Sequence, residues 1–205
     1  MTRWYTEKKR EHYYKDAKKQ GYRARSSYKL IQIQKKFQII SKGDYVLDLG
    51  AAPGGWSQVA EEYCGSDGQV IGIDLSRIYS FKNVIFLQGD VTEESTISLI
   101  KDTIKHHPIN VVLSDMAPNI SGNYSLDHAQ SIYLSTHALK MTTALLENKG
   151  HFVCKLFMGE SFEDFLNSVK KCFKKVQCFS PQASRKTSSE TYIIAKSFKR
   201  DKSLE

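Results

Sequence analysis

The stretch GDYVLDLGAAPGGWSQ, residues 43–58, decides the reading of this chain. It opens with a short apolar run, YVLDL, that carries an acid near its end. It then breaks into a turn through Gly50, Pro53, Gly54 and Gly55, and resumes at Trp56 in what reads as a helix. A buried strand that passes through glycines into a helix is the opening unit of an α/β fold, and the tip of such a turn is where a ligand sits.

The pattern continues outward from this unit. Apolar, β-branched runs bounded by turn residues recur at 45–49, 69–74, 83–88, 110–115 and 150–155 and read as buried parallel strands. Helical candidates lie between them near 56–64, 93–107, 126–147 and 160–174. Two further runs, 175–180 and 189–197, add an antiparallel edge hairpin. The expected fold is α/β and doubly wound, a mostly parallel seven-stranded sheet with an antiparallel edge strand.

At 205 residues with 40% hydrophobic content, one globular domain is expected. The N-terminus is charged from its third residue and no run of eighteen apolar residues occurs, so neither a signal peptide nor a membrane span is indicated, and a cytoplasmic chain is expected. Cys64, Cys154, Cys172 and Cys178 form no C-x-x-C pair and read as buried, reduced thiols. No long heptad or exposed apolar stripe calls for a dimer, so a monomer is expected. Charge is uneven: residues 1–29 carry ten basic side chains against three acids, so this arm holds +7 of a net +8. Trp4, Tyr5, Tyr13, Tyr14, Tyr22 and Tyr28 interleave with those cations. Cations neutralise phosphates and rings stack on bases, which points to nucleic acid as partner. The plainer reading is a solvated basic helix whose tyrosines pack on the core.

In an open α/β sheet the ligand lies beyond the carboxyl ends of the strands. The runs place Asp74, Asp90, Asp115 and Lys155 there, beside the glycine turn. Gly54 and Gly55 permit positive φ or close backbone approach. Asp74, nineteen residues after Gly55 at the end of the next strand, is placed to accept hydrogen bonds from ribose hydroxyls. The turn is not G-x-G-x-x-G, and an acidic rim repels a pyrophosphate. S-adenosylmethionine, which has no phosphate and carries a sulfonium cation, fits better, with Asp90 near the adenine amino group and Trp56 packed near the ligand. The plainer reading is that Asp74 and Asp90 only cap helices or close turns.

Lys29 in RARSSYKL, Asp115 in SDMAPNISG, Lys155 in FVCKLFMGE and Glu190 in SRKTSSETYIIA fall outside that account. A solvated lysine, a turn cap and a strand-edge acid would explain three of them. Lys155 stands out because Phe152, Val153, Cys154, Leu156 and Phe157 surround it. An ammonium desolvated in this way yields its proton more readily, as a general base must.

In order and spacing, RSSYKL, DLGAAPGGWSQ, GIDLS, LQGDV, SDMAPNISG, FVCKLFMGE and SRKTSSETYIIA resemble the FtsJ/RrmJ (RlmE) family of RNA ribose 2′-O-methyltransferases. The resemblance runs from about residue 23 to residue 196, and upstream HYYKDAKKQGYRAR is closer to the archaeal and eukaryotic members. It implies a Rossmann-like methyltransferase fold, a catalytic set of Lys29, Asp115, Lys155 and Glu190, and a methyl-donor site lined by Gly54, Trp56, Asp74, Asp90 and Asp115. The chain divides on this reading into a basic aromatic arm (1–24), a methyltransferase domain (25–198) and a polar tail (199–205). Lys155 would take the proton of a ribose 2′-hydroxyl, helped by repulsion from Lys29. Asp115 would orient Lys155 and Glu190 would hold Lys29. No metal is called for. The expected substrate is a uridine of large-subunit ribosomal RNA. A tRNA anticodon-loop 2′-O-methyltransferase remains an alternative, as does a non-catalytic RNA-binding or ribosome-assembly factor, which the intact four-residue set argues against.

Overall fold

The computed structural model describes residues 15–105, 107–184 and 189–200. Seven strands form one sheet: β1 (Tyr45–Leu49), β2 (Gln69–Asp74), β3 (Val84–Gln88), β4 (Ile109–Ser114), β5 (Leu146–Phe157), β6 (Phe173–Phe179) and β7 (Glu190–Phe198). Their order is β3-β2-β1-β4-β5-β7-β6. The first five run parallel, and β7 runs antiparallel to both β5 and β6. The expected hairpin is present, with its antiparallel member one place inside the edge. The edge itself is β6, whose Lys174, Lys175 and Gln177 face solvent and discourage pairing with another chain. Cys178 is exposed on this strand, unlike the buried thiol expected there.

Helices α1 (Ser27–Phe37), α2 (Gly55–Cys64), α3 (Glu94–Ile104), α4 (Tyr124–Leu145) and α5 (Phe162–Cys172) complete the framework. Two cores fill the spaces between layers. One joins α3, α4 and α5 to residues such as Leu47, Leu49, Phe152 and Cys154; the other joins α1 and α2 to Val46, Val153, Tyr192 and Ile194 on the opposite face. Burial on both faces is why β1 reads as nearly unbroken apolar sequence. Among the described residues no helix is long and apolar enough to cross a membrane.

α1 was not among the expected helices. It buries Leu30 and Ile33 on one side and ends where Gln38 turns to φ 50°. The buried Gln34 amide secures that end: Oε1 accepts the N–H groups of Ile39 and Ile40 at 2.8 and 2.9 Å, and Nε2 donates to the Ile40 carbonyl at 2.7 Å. β5 is longer than expected because Leu156 and Phe157 still pair with Thr191 and Glu190. Lys155 therefore lies inside a strand.

Strand order reverses between β1 and β4, so the crevice at their carboxyl ends is the switch point. There the β1–α2 turn meets the segment leading into α1. Gly54 adopts φ 105° as the α2 N-cap, and Ser27 Oγ donates to the Gly55 carbonyl at 2.9 Å. Trp56 Nε1 donates to the Ser26 carbonyl at 2.9 Å. Gln58 accepts from Arg23 N–H at 2.7 Å and donates to the Gly21 carbonyl at 3.0 Å. These bonds fix where α1 begins, and hence where Lys29 stands.

A Cβ added at Gly55 would lie 2.8 Å from Ser27 Oγ and 2.9 Å from Ala24 Cβ. Gly55→Ala is expected to cost about 1–3 kcal/mol in urea unfolding through this overpacking. An unchanged midpoint would contradict the docking described.

Candidate active site

Four charged side chains converge on the α1/α2 face of the sheet. On β7, Glu190 and Tyr192 are two residues apart and so share a face, and Tyr192 is the cross-strand partner of Lys155 on β5. Asp115 follows the last residue of β4, and Lys29 comes from the first turn of α1. Lys155 Nζ lies 2.9 Å from Asp115 Oδ1 and also donates to the Asp115 main-chain carbonyl. Lys29 Nζ lies 2.6 Å from Glu190 Oε1. Tyr192 joins the two pairs: its hydroxyl donates to Asp115 Oδ1 at 2.6 Å, and Lys29 Nζ sits 5.6 Å from its ring centroid. The set expected from sequence is thus brought together.

Lys29 and Lys155 are only 6% and 7% exposed, so each ammonium depends on its carboxylate. Burial pushes the Asp115 carboxyl up, but Lys155, then Lys29 and the Tyr192 hydroxyl outweigh it and hold the group below its ordinary value. Burial, reinforced by Asp115 and Glu190, pushes the Tyr192 phenol well above its ordinary value and keeps it a donor.

Tyr192 was not anticipated. In the sequence it is one more apolar residue of a buried strand, and only its register against Lys155 shows what its hydroxyl meets. Trp56 stacks on it, with ring centroids 5.7 Å apart. Because the indole N–H is bonded to Ser26, the Trp56 side chain is turned into the core beneath the rim.

Beyond the glycine turn, Asp74 and Asp90 stand at the ends of β2 and β3. Asp74 Oδ2 accepts the Ala52 N–H at 3.0 Å and Oδ1 accepts the Ser76 N–H at 2.8 Å. Asp90 Oδ1 accepts the Thr92 N–H and hydroxyl at 2.8 and 2.7 Å, which holds this carboxyl below its ordinary value. Both acids close turns, as the plainer reading supposed. Arg23 ties this side together, donating to the Tyr79 and Pro53 carbonyls at 2.9 and 3.3 Å.

Under the turn lies Asp48, 1% exposed on β1. Ser57 Oγ donates to its Oδ2 at 2.6 Å, and its Oδ1 has no hydrogen-bond partner among the described residues. Burial raises this carboxyl to about 7; the Ser57 bond opposes the shift, while the nearby Asp115 and Asp74 charges add to it.

The FtsJ-like methyltransferase family matches residues 22–198. A Methanocaldococcus jannaschii protein named Ribosomal RNA large subunit methyltransferase E is 48% identical over 200 residues, 96% of this chain and 82% of that protein. One of the same name from Methanosarcina mazei is 50% identical over 190 residues, 93% of this chain and 70% of its own. A crystal structure from Plasmodium falciparum, described as a ribosomal RNA methyltransferase, superposes with a TM-score of 0.78 at 27% identity, over 86% of this chain and 98% of that one.

A carboxyl raised in the folded state is protonated there over a range in which the unfolded chain is already ionised. The contribution of Asp48 is therefore full below about pH 4 and is lost as pH rises toward 7. The unfolding free energy of the native protein, measured relative to Asp48→Asn, is expected to fall between those pH values. A difference that stays flat would contradict a protonated Asp48.

Proposed function

We propose that this chain, which belongs to the FtsJ-like methyltransferase family, is a methyltransferase that transfers the methyl group of S-adenosylmethionine to a ribose 2′-hydroxyl of large-subunit ribosomal RNA. The observation that carries the reading is the buried Lys155–Asp115 pair beside the Lys29–Glu190 pair at the switch point of the sheet. The names of the archaeal relatives support ribosomal RNA as substrate. A uridine is the target we assign.

The residues at the rim suit S-adenosylmethionine. Gly54 adopts φ 105°, which favours glycine, and a Cβ there would come within 3.2–3.3 Å of Arg23 and Phe86, so the turn is held without a side chain. Asp74, Asp90 and Asp115 present carboxylates to ribose hydroxyls, an adenine amino group and a cation, whereas a phosphate would be repelled. We assign Gly54, Gly55, Asp74, Asp90, Asp115 and the Trp56 main chain to this site. The donor, when bound, would supply an electrophilic methyl group on a positively charged sulfur, which keeps the bonding pair and leaves as a neutral thioether.

The protein's own part is to make an alcohol oxygen nucleophilic and to aim it. Two of the three Lys155 N–H positions are taken by Asp115 Oδ1 and the Asp115 carbonyl, leaving one position on Nζ for substrate. As the neutral amine, Lys155 accepts the 2′-hydroxyl proton while that oxygen takes the methyl group. Lys29, 5.6 Å from the Tyr192 ring, adds positive charge that stabilises the developing alkoxide. Glu190 holds Lys29 in place. General-base help of this kind contributes about 10²- to 10⁴-fold, and positioning contributes the remainder.

We read residues 1–24 as an RNA-binding arm joined to a methyltransferase domain at 25–198. Residues 1–14 lie outside the described residues, while Lys15, Lys18 and Lys19, in helical conformation, are exposed.

Methyl transfer from labelled S-adenosylmethionine to large-subunit ribosomal RNA and to bulk tRNA tests the reading. Label is expected in ribosomal RNA, as 2′-O-methylated nucleoside, and none is expected with Lys155→Ala although that variant still binds the donor. Label confined to tRNA would move the substrate. Label in neither would leave an RNA-binding factor.

A further inference from the structure

Nine large apolar side chains are exposed among the described residues, and six of them follow strands β2, β4 and β5, in the loops beyond their carboxyl ends or in the first turn of α4. Leu75 and Tyr79 follow β2, on the side assigned to the methyl donor. Ile120, Tyr124 and Leu126 follow β4, and Met158 follows β5. The second group is tied directly to the lysine–carboxylate set. Met158 N–H donates to the Ser189 carbonyl at 2.9 Å, next to Glu190, and the Tyr124 hydroxyl donates to the Met158 carbonyl. The loop that carries this group is held as well: Asp127 accepts the Ser121 N–H and hydroxyl at 2.8 Å each and the Gly122 N–H at 3.2 Å. Tyr124 therefore has its polar end satisfied and its backbone fixed, yet it is 59% exposed, as is Met158 at 44%. Helix starts and loops in water are ordinarily polar, so an exposed ring hydrogen-bonded to the backbone of an exposed methionine calls for an occupant.

Resting on the function proposed above, we propose that Tyr124 and Met158 form a ledge on which the base of the target nucleotide stacks. The chemistry of the nucleotide makes this necessary somewhere nearby. The 2′-hydroxyl and the base are carried by adjacent ribose carbons, so when that hydroxyl reaches Lys155 Nζ the base lies within a few ångströms of it. Toward β1 and β2 the space is assigned to the donor. Toward β5 and α4 the surface is the Tyr124–Met158 ledge. A base has an apolar π-face that suits a tyrosine ring and a polarizable sulfur, and stacking holds it without demanding one particular base. The ledge orients the ribose by gripping the base, and Tyr124 acts as a substrate-positioning residue.

Steady-state methyl transfer to an unmodified large-subunit ribosomal RNA transcript separates the outcomes. Tyr124→Ala is expected to raise KM for RNA roughly 5- to 150-fold, the range for losing one base–aromatic stack, with S-adenosylmethionine affinity unchanged and kcat much less affected. Tyr124→Phe, which keeps the ring and loses only the bond to Met158, should recover most of the loss. A merely structural role would instead affect both variants alike and lower their melting temperatures. If Tyr124→Ala does not fold, Tyr124→Leu, which keeps bulk without a π-face, should show the same rise in KM. Photocrosslinking of the same transcript carrying 4-thiouridine should yield a peptide from residues 120–126 or containing Met158. Unchanged KM in Tyr124→Ala or Tyr124→Leu, or crosslinks only elsewhere, from a wild-type protein that methylates this RNA would overturn the ledge and leave the function standing. A wild-type protein that methylates no RNA would remove both.

Discussion

Two ammonium groups and two carboxylates buried at one point of the sheet are the constraint on which the rest depends. Desolvating each ion costs several kcal/mol, and breaking a buried pair costs about 3–5 kcal/mol because the remaining charge has no partner. Asp115 is held against both lysines and the Tyr192 hydroxyl, and burial alone would have neutralised it. The surrounding fold supplies what this arrangement needs. β5 and β7 pair in the register that sets Lys155 opposite Tyr192, and the start of α1 docks on the glycine turn so that Lys29 arrives above the same ring. A parallel sheet alone would place Asp115 and Lys155 near each other. The antiparallel insertion of β7 between β5 and β6 is what brings Glu190 and Tyr192 to them.

The acids are graded by environment across the crevice. Asp74 and Asp90 accept N–H groups at the rim, and Asp90 is held low by Thr92. Asp48, a few residues below the turn, accepts hydrogen bonds from Ser57, yet burial and its charged neighbours raise it to about 7.

Much of this was readable from the chain. Short apolar runs bounded by turns located every strand, most plainly β1, β2, β4 and β5, which are largely buried and leave little polar alternation. The burial of Lys155 was legible in its apolar neighbours, and the strand-end position of Asp74 in the run that precedes it. α1 was less readable, because the alternation in IQIQKK fits strand and helix equally, and its helical face is completed by Gln34, a polar residue buried to cap backbone groups. Tyr192 could not be separated from core because it is core; its role follows from cross-strand register, which no local pattern encodes. Asp48 was visible as an acid in an apolar run, but its meaning required Ser57 and the neighbouring charges. Cys178 was expected inside because it sits in an apolar run, and it lies outside on the edge strand.

The central claim is that Lys155, as the neutral amine, removes the 2′-hydroxyl proton. The pH dependence of single-turnover methyl transfer with the native protein and with Lys155→Arg tests it most directly, since arginine retains the cation and can still pair with Asp115 but does not give up its proton. The account predicts a native rate that rises with pH to a plateau, and an arginine variant slower by about 10²-fold or more that has lost this inflection. An arginine variant with near-native rates and the same pH profile would show that the cation alone suffices and that Lys155 is not the base.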